Sequence, residues 1–284
     1  MSNIRKNYTN ENILHVKNGD LEYIQFKILN KYGLKHCITL KHGGVSRGIY
    51  DSLNFSLSGN DLKENVIKNL NKVTNSLGID SQNVYKATQA HTDNILCLNN
   101  ENKEAYKFAV GNKRDENYDA YIVSEKNIAT LVTTADCNPI IIYDPKKNIV
   151  ANIHSGWKGT TKKIYLKTCE KMITEFSCNP NDLIVCIGPS IRKCCFSSEE
   201  QEFKNIFTNI WENEKEYITY EENSNRFHID LVYLIKKDFE KIGVKNIVIA
   251  DICTVCNSND FFSYRVSRKN NQNGYGLMAT ITML

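Results

Sequence analysis

Cys137 and His154 are the side chains in this sequence whose types and placement point most directly to chemistry. The stretch that holds them reads Thr-Thr-Ala-Asp-Cys-Asn-Pro from Thr133, an apolar run, then His-Ser-Gly-Trp-Lys-Gly ending at Gly159. Cys and His bind zinc, and together they also make an activated thiol nucleophile. Pro139 to Tyr143 and Ile149 to Ile153 are rich in Ile and Val, as buried strands are. Asp144-Pro145-Lys146-Lys147-Asn148 between them is a turn. Strands joined by so short a turn lie antiparallel and adjacent. Cys137 precedes the first strand and His154 follows the second, so the hairpin predicts both at one end.

His91 ends another extended segment, Val84 to Ala90, and can reach the same rim. Two imidazoles and one thiolate are three zinc ligands with a fourth position left for water or substrate, the arrangement of a catalytic zinc. Such an ion lowers the pKa of water and polarises it for attack. The residues leave open two alternatives: that His154 activates Cys137 as a nucleophile, or that Cys253 or Cys256 closes the fourth position and makes the protein a structural-zinc or partner-binding module rather than an enzyme. Asp136, beside Cys137, is a candidate acid/base or ligand orienter, against the plainer role of a turn residue.

Two glycine-rich stretches are candidate anion sites. Lys41 to Tyr50 holds Gly43, Gly44 and Gly48 with Lys41 and Arg47. Glycines there allow unusual backbone angles and close approach of a ligand, or simply a tight turn. Gly156-Trp157-Lys158-Gly159 opens a helix, where free N–H groups bind anions. Trp157 reads equally as a core aromatic. Cys253-x-x-Cys256 has metal-like spacing, but a single pair is weak evidence and is read as buried, unliganded cysteines.

The elements that must position these residues alternate without a repeat or linker. Strands are expected over Leu21 to Leu29, Cys37 to Leu40, Tyr118 to Val123, Ile128 to Thr134, Leu183 to Ile187, Ile247 to Asp251 and Gly276 to Met283, and Phe261 to Arg265 reads as extended. A helix follows a capping box at Asp61 and Glu64, carries Val66, Leu70, Val73 and Leu77, and stops at Gly78. Others run over Ile164 to Phe176, after a second box at Ser197 and Glu200, and over Asp230 to Ile242. Residues 1–12 read as a loose tail, and 99–117 and 212–225 as exposed loops. The expected fold is α+β: one domain, 13–284, with a mixed β-sheet flanked by helices in α/β/α layers.

Composition narrows the function classes. The chain has 284 residues, 41% hydrophobic, with 36 basic against 32 acidic side chains and a net charge of +4. Those charges are intermixed, which argues against a dedicated nucleic-acid surface. The first residues lack the apolar core of a secretory signal, and no apolar run nears the roughly 20 residues of a membrane span. A cytoplasmic location is expected, so the 10 cysteines are expected to be mostly reduced.

Six motifs in order resemble the YfiH/YlmD-type family. They are Gly43-Gly44-Val45-Ser46 with Ser52-Leu53-Asn54; Gln89-Ala90-His91; Thr134-Ala135-Asp136-Cys137-x-Pro139; His154-Ser155-Gly156-Trp157-Lys158-Gly159; Gly188-Pro189-x-Ile191; and Phe262-Ser263-Tyr264-Arg265. The resemblance covers about residue 20 to the C-terminus. Its members are known as laccase-like polyphenol oxidases and as purine nucleoside phosphorylases with adenosine deaminase activity. It implies one zinc per chain on His91, Cys137 and His154, with copper the lesser alternative. It implies phosphorolysis of adenosine, inosine and methylthioadenosine to base and ribose 1-phosphate, and deamination of adenosine. On this resemblance Asp136, Lys41 and Arg47 are the catalytic candidates. Gly43, Gly44, Asn54, Gln89, Trp157, Lys158 and Arg265 are the substrate-binding ones. The expected partners are nucleoside and phosphate, with no nucleic acid or membrane, on a monomer or small homo-oligomer. Lys41 stands where the family usually has Arg, which keeps the charge but loses the bidentate fork. Phe196-Ser197 and Gly276-Leu277 replace its usual Tyr-Glu and Gly-Arg.

Overall fold

The computed structural model describes residues 6–108 and 116–284. In its first half the elements are β1 (Ile13–Asn18), β2 (Leu21–Phe26), α1 (Lys27–Asn30), β3 (Lys35–Thr39), α2 (Lys63–Leu77), β4 (Val84–Tyr85), β5 (Ile95–Cys97), β6 (Ala120–Val123) and β7 (Ala129–Thr134). Then come β8 (Asn138–Asp144), β9 (Ile149–Ser155), α3 (Trp157–Thr161), α4 (Ile164–Phe176), β10 (Ile184–Ile187), β11 (Ser197–Ser198) and α5 (Gln201–Thr208). The chain closes with β12 (Ile218–Glu221), β13 (Arg226–Ile229), α6 (Leu231–Lys241), β14 (Asn246–Ile249), α7 (Tyr264–Lys269) and β15 (Met278–Met283).

The class is α+β with mixed sheets and flanking helices, but two large sheets stand where one was expected. Their orders are β1-β2-β3-β15-β7-β4 and β14-β10-β8-β9-β6-β5, with a small sheet β11-β13-β12 beside them. In the two large sheets neighbours are antiparallel except β4–β7, β10–β14 and β5–β6. The sheets face each other across Ile38, Val132 and Met278 on one side and Tyr121, Ile141 and Cys186 on the other. Helix α2 covers the outer face of the first sheet through Val66, Leu70 and Val73. Helices α4 and α6 cover the second through Tyr165, Met172 and Phe239. The result is four layers, α/β/β/α. Every residue of β8 and β9 is buried. An apolar run says that both faces of a strand are covered; it does not say whether helix or sheet covers them.

Several local expectations change for identifiable reasons. Residues 6–12 are tied down, because Tyr8 is buried and its hydroxyl donates to Asp260 at 2.6 Å. The strand from Leu21 ends at Phe26 and turns into α1. Asp61 caps nothing: α2 begins after Leu62 without a side-chain cap, and the Asp61 carboxylate accepts from Ser46, Asn54 and Asn65. Ser197 lies in β11, and α5 likewise starts without a side-chain cap. The segment after Phe262 is helical, because the Ser263 hydroxyl accepts from the Val266 N–H and caps α7. Residues 99–108 bury Tyr106 and Phe108, and the rest of the expected exposed loop, 109–115, lies outside the described residues. Residues 218–229 form the β12–β13 hairpin. No helix among the described residues is long and apolar enough to cross a membrane.

Candidate metal centre

The β8–β9 hairpin pairs Asn138 with Ser155 and Pro139 with His154. Cys137 therefore enters the first strand beside the point where His154 leaves the second. His91 arrives from the segment after β4. The donor atoms of His91, Cys137 and His154 all lie within 4.8 Å of one another. Cys137 Sγ is 3.7 Å from His91 Nε2, and the two imidazoles meet edge to face at 4.9 Å between centroids.

Asp119, which nothing in the sequence singles out, organises the three. It directly precedes β6, which pairs with β9 so that Ala120 lies opposite Ile153. Its Oδ1 sits 2.7 Å from His154 Nδ1 and also accepts from the His91 N–H at 3.2 Å. Its Oδ2 accepts from the Thr92 N–H at 2.6 Å, the Thr92 hydroxyl at 2.8 Å and the Ala90 N–H at 3.2 Å. One carboxylate thus orients the His154 ring and holds the turn that carries His91, whose φ is 57°. Burial opposes the Asp119 charge, but the bonds from His154 and Thr92 hold its carboxyl down to about 2. Burial likewise raises the Cys137 thiol and lowers His154. Their mutual attraction, with Asp119 behind His154 and His91 beside Cys137, reverses both, taking the thiol down to about 7 and the imidazole up to about 9. The pair thus favours the thiolate on Cys137, and His154 Nδ1 faces the Asp119 carboxylate.

The residues fit a metal ion on two grounds. Two imidazole nitrogens and a thiolate are zinc donors, and the carboxylate behind His154 is the outer partner that metal-bound histidines carry. The second ground is Gly156. A Cβ there would stand 2.7 Å from His91 Cδ2 and 2.9 Å from Cys137 Sγ. Its φ is −71°, so the backbone does not demand glycine; the space in front of the donors does.

The trio opens on a cavity of about 870 Å³. Trp157, Phe196, Phe203, Tyr264 and Tyr275 line it, and Lys86, Lys158 and Arg265 are its lysine and arginine side chains among the described residues. Lys86 was not singled out in the sequence. Burial pushes its ammonium down to about 8, although Asp119 opposes the shift.

The remaining candidates separate into groups. Trp157, Lys158 and Arg265 are brought to the cavity. Gln89 and Asp136 line it but are engaged with the protein. Gln89 exchanges three hydrogen bonds with Thr133, at 2.8 to 2.9 Å. Asp136 accepts from Thr254 Oγ1 at 2.6 Å, Ser263 Oγ at 2.9 Å and the Arg265 N–H at 2.7 Å, and burial pushes its carboxyl up against those donors. Both brace the loops behind the donors.

Lys41, Arg47, Gly43, Gly44 and Asn54 do not line this cavity. The Lys41 ammonium donates to the Ser258 carbonyl at 2.7 Å beside a separate cavity, and Arg47 is exposed. A Cβ on Gly43 would stand 2.4 Å from Asp20 O, and one on Gly44 2.0 Å from Ser52 O. At both glycines the space a Cβ would need is taken by the protein's own backbone. Buried Asn54 donates to Asp61 and accepts from the Ser56 and Leu277 N–H groups.

A family model described as multi-copper polyphenol oxidoreductase laccase matches residues 35–284. The chain is 30% identical over 252 residues to a protein of Bacteroides thetaiotaomicron named purine nucleoside phosphorylase, covering 87% of this chain and 92% of that one. It is 32% identical over 165 residues to the Bacillus subtilis purine nucleoside phosphorylase YlmD, covering 57% of this chain and 58% of that one. The crystal structure of the Bacillus licheniformis hypothetical protein YfiH superposes with a TM-score of 0.83 at 24% identity, covering 94% of this chain and 97% of that one.

Proposed function

Because the chain belongs to the laccase-like family of YfiH and YlmD, we propose that it is a zinc-dependent purine nucleoside phosphorylase that also deaminates adenosine. The observation that carries this reading is the three-donor centre opening on an aromatic cavity with three cationic side chains. A zinc ion held by His91, Cys137 and His154 would supply Lewis acidity.

Phosphorolysis joins a phosphate oxygen to C1′ and breaks the C1′–N9 bond; the electron pair leaves with the purine, which takes up a proton. Lys86, Lys158 and Arg265 bind the phosphate and offset its charge. Arg265 keeps its position through Nη1, which donates to the Cys195 carbonyl at 3.0 Å. Trp157, Phe196, Tyr264 and Tyr275 offer faces on which a purine stacks, at about 1–3 kcal/mol per base. Trp157 is steadied edge-on by Phe203, 5.3 Å away. Asp119 holds the His154 ring, while Gln89 and Asp136 fix the loops on either side. The substrates are adenosine, inosine and methylthioadenosine.

Copper-dependent phenol oxidation would require several histidine-rich sites. The other four histidines are engaged elsewhere: His15 with Glu22, His36 with Leu34 and Phe26, His42 with Asp260 and His228 with Lys193. The second group of potential ligands among the described residues is made of cysteines alone.

The test is product analysis with each nucleoside, with and without phosphate. Free base is expected only with phosphate, inosine from adenosine without it, and neither from His91→Ala. A zinc-loaded protein that released neither base nor inosine would sink the reading.

A further inference from the structure

Four of the cysteines converge outside the catalytic cavity. Cys194 and Cys195 follow β10, and Cys253 and Cys256 follow β14. These two strands are parallel neighbours, Ile184 to Ile187 alongside Asn246 to Ile249. Their chains stay together beyond the sheet. Ser190 donates to the Ile252 carbonyl and accepts from the Thr254 N–H, each at 3.1 Å. Both cysteine pairs are thus delivered to one point, and all four sulfurs lie within 4.8 Å of one another.

We propose that Cys194, Cys195, Cys253 and Cys256 form a second metal site, a closed tetrathiolate for zinc. The sulfur separations match that use. Zinc–sulfur bonds of about 2.3 Å in a tetrahedron place the sulfurs about 3.8 Å apart. Cys256 Sγ stands 3.7 Å from Cys194 Sγ and 3.4 Å from Cys195 Sγ. A disulfide needs about 2.0 Å between one pair and leaves the other two sulfurs with no part in it. The Cys-x-x-Cys turn is pinned by Asn257, whose N–H and side-chain amide both donate to the Cys253 carbonyl, at 3.1 and 2.8 Å. At 192–196 the chain bends, with the Cys195 and Phe196 N–H groups both donating to the Arg192 carbonyl, and this turns two consecutive thiols towards the same point.

Four protein ligands leave no open position, so the site is structural, unlike the trio of His91, Cys137 and His154. It ties together two loops that serve the cavity. One loop carries Ile191 and Phe196 into its wall, and the other supplies Thr254, which holds Asp136. The inference is independent of the purine reading, since it concerns different ligands.

The test is zinc content per chain, measured on the full chain purified under reducing conditions with zinc. Two zinc ions are expected in the unaltered protein. One should be lost in the Cys194→Ser/Cys256→Ser variant, and the other in His91→Ala. A second measurement needs no variant: with zinc bound, alkylation of Cys194, Cys195 and Cys256 should slow by about tenfold or more relative to chelator-treated protein. The proposal is overturned if the double variant keeps all the zinc of the unaltered chain, if alkylation is equally fast with and without zinc, if iron replaces zinc, or if the reduced preparation carries a Cys195–Cys256 disulfide.

Discussion

Replacing Asp119 with Asn should weaken zinc binding about 10- to 100-fold, the usual effect of losing a carboxylate behind a metal-bound histidine. That corresponds to about 1.4–2.7 kcal/mol. The direction follows from the hydrogen bonds. Asp119 accepts five of them, two on Oδ1 and three on Oδ2. Asn keeps the size but offers an acceptor on only one side, and the three donors from Thr92 and Ala90 claim it. Its NH2 then faces His154 Nδ1 and the His91 N–H. Nδ1 must accept rather than donate, so the proton of the neutral ring moves to Nε2, the nitrogen facing Cys137 and His91. That nitrogen loses the lone pair a metal needs. The buried polar groups left mismatched should also cost about 1–3 kcal/mol of stability. The assay is competition with a chromophoric chelator, with circular dichroism and a thermal melt confirming the fold. If the folded variant bound zinc within about threefold of the unaltered protein, well inside the tenfold expected, the role given to Asp119 would be refuted.

Gly156→Ala should cut zinc affinity by about tenfold or more at an overpacking cost of about 1–3 kcal/mol, because the new methyl meets His91 and Cys137; the same chelator competition and melt read both effects. Lys86→Met should raise the KM for phosphate about tenfold, as loss of a charge-assisted bond does, and should abolish the rise in KM expected in the unaltered enzyme above about pH 8, where Lys86 loses its proton. The same lowered pKa means that the unfolded chain binds more protons than the folded one between about 8 and the ordinary 10.5, so stability should rise with pH across that window and Lys86→Met should flatten the rise in melts at several pH values. Lys41→Ala should leave the KM for phosphate within about twofold and lower stability by about 1 kcal/mol, the loss of one bond to the Ser258 carbonyl; an effect on phosphate affinity as large as that of Lys86→Met would restore Lys41 to the site.

The convergence of His91, Cys137 and His154 is legible because their spacing is governed by local rules. Cys137 and His154 bracket two apolar runs with a turn between them, and antiparallel pairing brings such ends together whatever the rest of the chain does. His91 ends an extended run of its own. Asp119 carries no comparable signal: it is one of many acids, and only the pairing of β6 with β9 puts it behind His154. Lys86 enters the cavity for the same kind of reason, since the side it presents depends on how a two-residue strand pairs with β7.

Glycines and cysteines are less legible, because their chemistry depends on what approaches them. Gly43 and Gly44 signal a tight approach, yet sequence cannot say whether a ligand or the chain's own backbone makes it, and here it is Asp20 and Ser52. Cys253 and Cys256 looked like an incomplete pair because their partners, Cys194 and Cys195, are some 60 residues away and meet them only through the parallel pairing of β10 with β14. The sequence by itself determined the long helices and most of the buried strands, and the donors that its own hairpin joins, since these follow from neighbours along the chain. The tertiary structure alone decided that two sheets stack, which carboxylate orients the Cys/His donors, which cations reach the cavity and how four cysteines become one cluster. Those outcomes depend on contacts between segments distant in sequence, and such contacts form only when whole faces are buried together.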